Sequence, residues 1–353
     1  MAAKRVTLAD VAAASGIAVS TASLVLSGRG TDVRISLTVQ ERVKAVALEL
    51  GYRPNAMSVG LRKGVTSTLG FVSDSVASSR LAGDMIKGAI EAARDRGFMV
   101  FVGETSGNVT LEQRLLDAMF DRQVDGLILA SMFTQQRELP LTLERIPAVL
   151  LNIEPAGPTR LPVVLPAEYE AGRNAAQALV EAGHRNIHLV GSGPTPQDVP
   201  PRSLAGTQRL AGILAVLGEN GLSPASGTIA HQWLPRDGWA IVSELLEHGV
   251  PEALICFNDR LAMGAYQALQ EHGLRIPQDV SVVSFDDASI ASWLRPGLTT
   301  FALPHRTMGK RASELLITLI EHDRAHSAMP ADGGTHLIPM PMRDRESLGP
   351  PQA

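Results

Sequence analysis

At four places the chain sets a two-pronged polar side chain on an element of apolar periodicity. Asn258-Asp259 follows the run Leu254–Phe257, and Asp286-Asp287 follows a run ending at Phe285. Asn152 follows Ala148–Leu151, and Arg209 opens the segment Arg-Leu-Ala-Gly at the expected start of a helix. Carboxylate, amide and guanidinium each engage paired hydroxyls at two points, so the set suits a polyol or a sugar. The plain alternative for Asp286 and Asn258 is a role as strand-end turn and capping residues.

A search for catalytic chemistry finds no comparable set. Gly191-Ser-Gly-Pro lacks a third glycine and runs into prolines, which makes it a weak nucleotide signal. There is no Gly-x-Ser-x-Gly elbow, no Walker lysine and no metal-spaced histidine cluster. His184, His188 and His231 are scattered and are expected to be exposed or capping. The single cysteine, Cys256, excludes a disulfide framework and a multi-cysteine metal site, and its place in an apolar run suits a small core residue. No catalytic residue, no metal and no cofactor is expected.

The elements that would carry the polar residues alternate. Apolar runs at 69–72, 99–103, 126–130 and 148–151 are interleaved with helical periodicity at about 81–96 and 111–120. A second series follows: helix 171–182, run 187–191, helix 209–220, run 254–257, helix 261–272 and run 280–285. Continuous apolar strands between helices predict a parallel sheet covered on both faces. Two such series predict two doubly wound lobes, with ligand bound at the carboxyl ends of the strands. With 45% hydrophobic and only 4% aromatic residues, the cores must be aliphatic. No stretch approaches the roughly eighteen apolar residues of a membrane span, and the N-terminus has no secretory pattern. A soluble cytoplasmic protein is expected.

The front of the chain differs from the rest. Residues 1–64 hold nine basic and four acidic side chains, a net +5, which leaves −9 on residues 65–353. A cationic module on an anionic body points to a polyanionic partner, the alternative being a solvated basic face. Thr7 and Asp10 form a capping-box variant ahead of a first helix. Gly16 suits a left-handed turn, and a short helix at about 19–26 keeps Ala22, Val25 and Leu26 inward while Val19, Ser20, Ser23 and Leu24 face outward. A third helix covers about 37–50. Helix, glycine turn and short exposed helix make a helix-turn-helix pattern.

The strings Val6-Thr-Leu-Ala-Asp-Val-Ala, Ser15-Gly-Ile, Thr21-Ala-Ser23 and Leu50-Gly-Tyr-Arg-Pro-Asn55, in that order, resemble the headpiece of the LacI/GalR (lactose-repressor/galactose-repressor) family of bacterial transcription regulators. The resemblance continues through Ala182-Gly-His-Arg-Asn-Ile, Gly273-Leu-Arg-Ile-Pro-Gln-Asp-Val-Ser and Pro296-Gly-Leu-Thr-Thr. It implies an α/β protein: a small all-helical helix-turn-helix headpiece (1–52), a hinge (53–65), a two-lobed periplasmic-binding-protein-like core of doubly wound parallel sheets (66–345) and a tail (346–353). Lobe one is expected at 66–165 and 297–325, and lobe two at 166–296 and 326–345, the chain crossing back at Pro296-Gly-Leu-Thr-Thr.

The resemblance assigns Thr7, Thr21 and Ser23 to DNA phosphates and Val19, Ser20 and Leu24 to base edges. These last are unusually apolar, so readout would lean on thymine methyls. Ala18 and Leu24 depart from a common serine and arginine, and Arg34, or Arg29, in a long loop is expected to supply a polar contact. Residues 54–64 match a hinge that folds on DNA, with Asn55 and Arg62 among the contacts and Leu61 as a minor-groove wedge. Asn152, Arg209, Asn258, Asp259 and Asp286 match effector-pocket positions, Trp233 a position that stacks on a sugar, and Ser79, in a departure from the family pattern beside the cleft, is expected among the effector contacts. Ala167-Glu168 replaces a common Asp-Asn pair.

The implied activity is a ligand-responsive repressor of carbohydrate-related genes, a homodimer on a pseudo-palindromic operator in double-stranded DNA, gated by a sugar or sugar derivative through a shift between two states. A periplasmic-type sugar carrier fits the body equally well, but the basic headpiece and the absent export signal argue against it. The tail carries no leucine heptad, which favours a dimer over a tetramer.

Overall fold

A computed structural model of the chain describes residues 6–52, 66–76, 80–201, 203–325 and 334–351. Two compact units emerge, divided at Ser67/Thr68.

The first unit is three helices: α1 (Leu8–Ser15), α2 (Val19–Leu26) and α3 (Leu37–Glu49). Their core is small: Val11, Ala12, Ala22, Val25, Val43 and Ala47 are buried, and Leu26, Ile35 and Tyr52 pack around them. Gly16 closes α1 with φ of 65°, the left-handed conformation expected of it.

The second unit holds two six-stranded sheets. The first contains β1 (Thr68–Ser73), β2 (Met99–Glu104), β3 (Gly126–Arg137), β4 (Ala148–Pro155), β5 (Val163–Pro166) and β11 (Thr335–Ile338), in the order β11-β5-β4-β3-β1-β2 and parallel throughout. The second contains β6 (Ile187–Gly191), β7 (Ser226–Ile229), β8 (Ala253–Cys256), β9 (Ser281–Asp286), β10 (Thr299–Ala302) and β12 (Met342–Arg343), in the order β12-β10-β9-β8-β6-β7. Only its edge strand β12 runs antiparallel. Helices α4 (Arg80–Asp95), α5 (Val109–Asp121) and α11 (His305–Arg324) belong to the first sheet. Helices α6 (Glu168–Ala182), α7 (Leu204–Glu219), α8 (Pro235–Leu246) and α9 (Asp259–Glu271), with the short α10 (Ser289–Trp293), belong to the second. The two-lobed parallel architecture is the one expected.

The crossing points differ from the expectation. Strand β10 pairs with β9, so residues 299–302 stay in lobe two, and the chain returns to lobe one only at α11. Strand β11 pairs with β5, so residues 335–338 belong to lobe one. Strands this short read alike in either lobe, and pairing alone decides between them. Nor is 346–351 a loose tail. Ser347 is fully buried, its Oγ accepting from Thr299 N (2.8 Å) and donating to Val282 O (2.6 Å). His184, expected to be exposed or capping, is 1% exposed, with its Nε2 shared between Ser281 Oγ (3.0 Å) and Gly349 O (2.7 Å).

Helices α6 and α7 approach so closely that only glycine fits between them. A Cβ on Gly172 would lie 2.1 Å from the Arg209 carbonyl oxygen, and one on Gly212 2.1 Å from that of Tyr169. This approach sets α7 against the start of α6.

Candidate functional site

The headpiece and the core each present a surface for the predicted residues. In the headpiece, Thr7 N donates to Asp10 Oδ2 (2.8 Å) and Asp10 N to Thr7 Oγ1 (3.3 Å), completing the capping box. The Thr7 hydroxyl itself donates to Asp10 Oδ2 (2.7 Å). On α2, Val19 and Ser20 are exposed, while Thr21, Ser23 and Leu24 are half-buried. The outward face is therefore the one expected. Arg34 is exposed with φ of 59° in a loop that has its own order: Ile35 N bonds Gly30 O (2.9 Å), and buried Gln40 donates from Nε2 to Ile35 O (2.8 Å). Gln40 had no sequence signal beyond its place on an otherwise ordinary helix. Asn55, Leu61, Arg62 and Ser79 lie outside the described residues.

In the core, helix α7 of lobe two approaches β3 of lobe one, so the carboxyl ends of the two sheets' strands border one cleft. Arg209 is not at a helix start, as expected, but in the second turn of α7, and it is 2% exposed. Its Nε donates to Glu168 Oε2 (2.6 Å) and its Nη2 to Glu168 Oε1 (3.1 Å) and Asp286 Oδ1 (3.3 Å). Its Nη1 donates to Phe257 O (2.6 Å). The guanidinium also stacks 4.6 Å from the centre of the Phe285 ring. Burial alone would lower the Arg209 pKa, but Glu168 and Asp286 outweigh it and raise it. Glu168 is the first residue of α6, where the helix dipole favours a carboxylate.

Asp286 ends β9 with φ of 108°, a left-handed geometry rare for a non-glycine residue, and its side chain keeps 19% exposure. Its carboxyl is raised to about 7, and burial is the largest cause. Within that balance Arg209 acts to lower it, and Asp259 and Glu168 act to raise it.

Asp259, Asn258 and Asn152 turn inward. Asp259 is fully buried, and its carboxylate does not face the cleft. Oδ1 accepts from Thr300 Oγ1 (2.8 Å) and, at very short range, from Ser284 Oγ, while Oδ2 accepts from Ala288 N (2.6 Å). It ties β9, β10 and α10 together, which corrects its assignment as a ligand contact. Asn258 caps α9, accepting from Leu261 N (2.8 Å) and donating to Trp233 O (3.3 Å), the plain alternative weighed for it. Asn152, with φ of 60°, donates to Ser131 O and Met132 O (both 3.1 Å) and accepts from Thr134 Oγ1 (2.5 Å). It thereby holds the register shift between Ala130 and Gln135 on β3. Trp233 is half-buried at φ of 51°, its indole N–H on Gly191 O (2.9 Å) and its ring tilted against Phe257 at 5.7 Å.

Two participants were missed. Glu168 was visible only as a departure from a pattern. Asp74, immediately after β1, also carries a strand-end carboxylate and accepts from Ser131 Oγ (2.7 Å) and Met132 N (2.8 Å). The rule that found the other strand-end polar residues applied to it equally. Among the described residues no cluster of histidine, cysteine, aspartate and glutamate has the arrangement of a metal site, and no single helix is long and apolar enough to cross a membrane.

Comparison with known proteins places both units. Residues 7–55 match the family described as bacterial regulatory proteins, lacI family, and residues 67–330 match periplasmic binding proteins and sugar binding domain of LacI family. The ribose operon repressor of Escherichia coli (strain K12) is 30% identical over 316 residues, 88% of this chain and 92% of its own. The HTH-type transcriptional repressor PurR of Escherichia coli O139:H28 is 28% identical over 90% of this chain and 91% of its own. The crystal structure of the lac repressor dimer bound to operator and the anti-inducer ONPF superposes with a TM-score of 0.78 at 27% identity, covering 98% of this chain and 99% of that one. These relatives are repressors rather than enzymes. The chain belongs to the LacI family of bacterial regulatory proteins.

Proposed function

We propose that this protein is a cytoplasmic, non-enzymatic repressor of carbohydrate-related genes that binds a pseudo-palindromic operator as a homodimer and responds to a sugar or sugar derivative. The observation that carries it is the cleft group of Arg209, Glu168 and Asp286, with Trp233 half-exposed in the same lobe, in a chain that also has a helix-turn-helix headpiece. Its ligand contacts are the cleft-side oxygen of Asp286, the remaining N–H of Arg209 and the face of Trp233. Asn152, Asn258 and Asp74 shape the walls. Val19, Ser20 and Leu24 face base edges, Thr7, Thr21, Ser23 and Arg34 serve the backbone, and Asn55, Leu61 and Arg62 act in a hinge at 53–65.

Two headpieces are needed because one short helix reads too few base pairs. The edge strand β2 offers a surface to a second copy: Met99, Phe101 and Val102 are exposed there at 67%, 40% and 39%. Effector binding acts by population shift, its reach equal to its differential affinity for the two states, about 1–3 kcal/mol. Operator binding by the full chain and by Leu61→Ala tests the reading. The wild type is expected to bind with a steep salt dependence and to bend the duplex. A variant that binds and bends DNA as well as the wild type removes the hinge wedge, and a wild type without operator affinity removes the repressor.

A further inference from the structure

The Arg209 guanidinium is a positive charge buried at the strand ends of lobe two, and it is already spent. Glu168 takes its Nε–H and one Nη2–H, Asp286 takes the other Nη2–H, and Phe257 O takes one Nη1–H. A guanidinium has five N–H donors, so one remains. A carboxylate or phosphate is recognised tightly by arginine through two parallel bonds from one edge of the fork. Of the two edges that could make them, Nε/Nη2 faces Glu168, with both partners 3% exposed, and Nη1/Nη2 is already divided between Phe257 O and Asp286. The local charge balance points the same way. Glu168 and Asp286 flank one guanidinium, and the Asp286 carboxyl is already pushed up, first by burial and further by Asp259 and Glu168. A further anion would meet that excess at short range.

We infer that Glu168 determines the charge class of the effector: by closing the Nε/Nη2 edge of Arg209 it makes the cleft select an uncharged polyhydroxylated compound over the phosphate ester or carboxylic acid of the same carbon skeleton. This rests on the reading of the cleft as the effector site and narrows it. Hydroxyls supply the donors that the cleft-side oxygen of Asp286 lacks, and they place no negative charge beside Glu168. Glu168 acts through Arg209 and is a positioning residue. Its signature is a change in ligand preference, which a purely structural role would not produce.

The test is titration calorimetry on the full-length chain with matched pairs: D-ribose against ribose 5-phosphate, and D-glucose against glucose 6-phosphate and gluconate. The wild type is expected to bind the uncharged member of a pair at least about tenfold more tightly. Glu168→Gln, which keeps an acceptor for Arg209 and removes the charge, is expected to narrow or reverse that ratio by about tenfold. A phosphate ester or acid bound by the wild type as tightly as its parent overturns the inference, and so does an unchanged ratio in the Glu168→Gln variant. If that variant does not fold, Glu168→Asn takes its place in the same titrations, with the same expected change in ratio and the same overturning result. Binding of no member of the panel overturns this inference together with the polyhydroxyl reading of the cleft, an outcome distinct from binding of the charged members.

Discussion

Glu168 at the first turn of α6 and Arg209 in the second turn of α7 meet as a bidentate ion pair, 2.6 and 3.1 Å, from positions 41 residues apart in sequence. Each is nearly inaccessible to solvent. The pair depends on the close approach of two helices, and that approach depends on glycine.

Removing one member of this pair leaves a buried charge without its partner. Arg209→Met is expected to lower the stability of the core by about 3–5 kcal/mol in urea unfolding. The double change Glu168→Gln/Arg209→Met should recover a large part of that loss, because it removes both charges. Losses that simply add would show that the two side chains do not interact.

Gly172→Ala places a methyl 2.1 Å from a main-chain oxygen, so α7 must move. The expected cost is about 1–3 kcal/mol, with weaker effector binding because Arg209 moves as well. Gly218→Ala, at a helical position with open space around it, serves as the control. It is expected to be neutral or to stabilise by up to about 1 kcal/mol. Melting temperature and ligand titration on the same two variants check both halves.

Effector affinity should depend on pH through Asp286. Its carboxyl is pushed up to about 7, so below that value it carries a proton and cannot accept at full strength from a ligand hydroxyl. A ligand that donates to the carboxylate favours its ionised form, so affinity is expected to rise from pH 6 to pH 8 and then level off. Asp286→Asn should flatten the profile and weaken binding. A profile of the same shape in that variant would assign the titration elsewhere.

Arg34 stands exposed on a loop pinned by Gln40. Arg34→Ala is expected to reduce operator affinity at low salt and to lower the slope of log affinity against log salt by about one. If discrimination between operator variants falls while the slope stays the same, the arginine reads a base edge.

The edge of the first sheet gives a test of assembly. Phe101→Lys puts a charge among the exposed apolar residues of β2 and should shift light-scattering mass toward the monomer at micromolar concentration. Full retention of the dimer would place the interface elsewhere.

The alternation of apolar runs with helical periodicity was enough to declare two parallel-sheet lobes, because a strand covered on both faces must be apolar throughout. The headpiece was legible for a related reason. Its signals are local: a cap three residues long, a glycine turn, a short helix with one apolar face. The motif strings then carried the family.

Which lobe receives β10 and β11 was not legible, since four-residue strands declare their type and not their neighbours. Nor was the fate of individual polar residues. Asn258, Asp259 and Asp286 all stand at strand ends, yet only Asp286 keeps an oxygen toward the cleft. Asn258 turns to cap its helix, and Asp259 turns to the hydroxyls of Ser284 and Thr300 and the Ala288 amide. Strand-end position is a property of the chain, whereas the direction of a carboxylate is set by whichever donors the tertiary fold brings within about 3 Å. For the same reason Glu168 appeared in the sequence only as a departure from a pattern. Its meaning came from a guanidinium on another helix, delivered by two glycines that let the backbones touch.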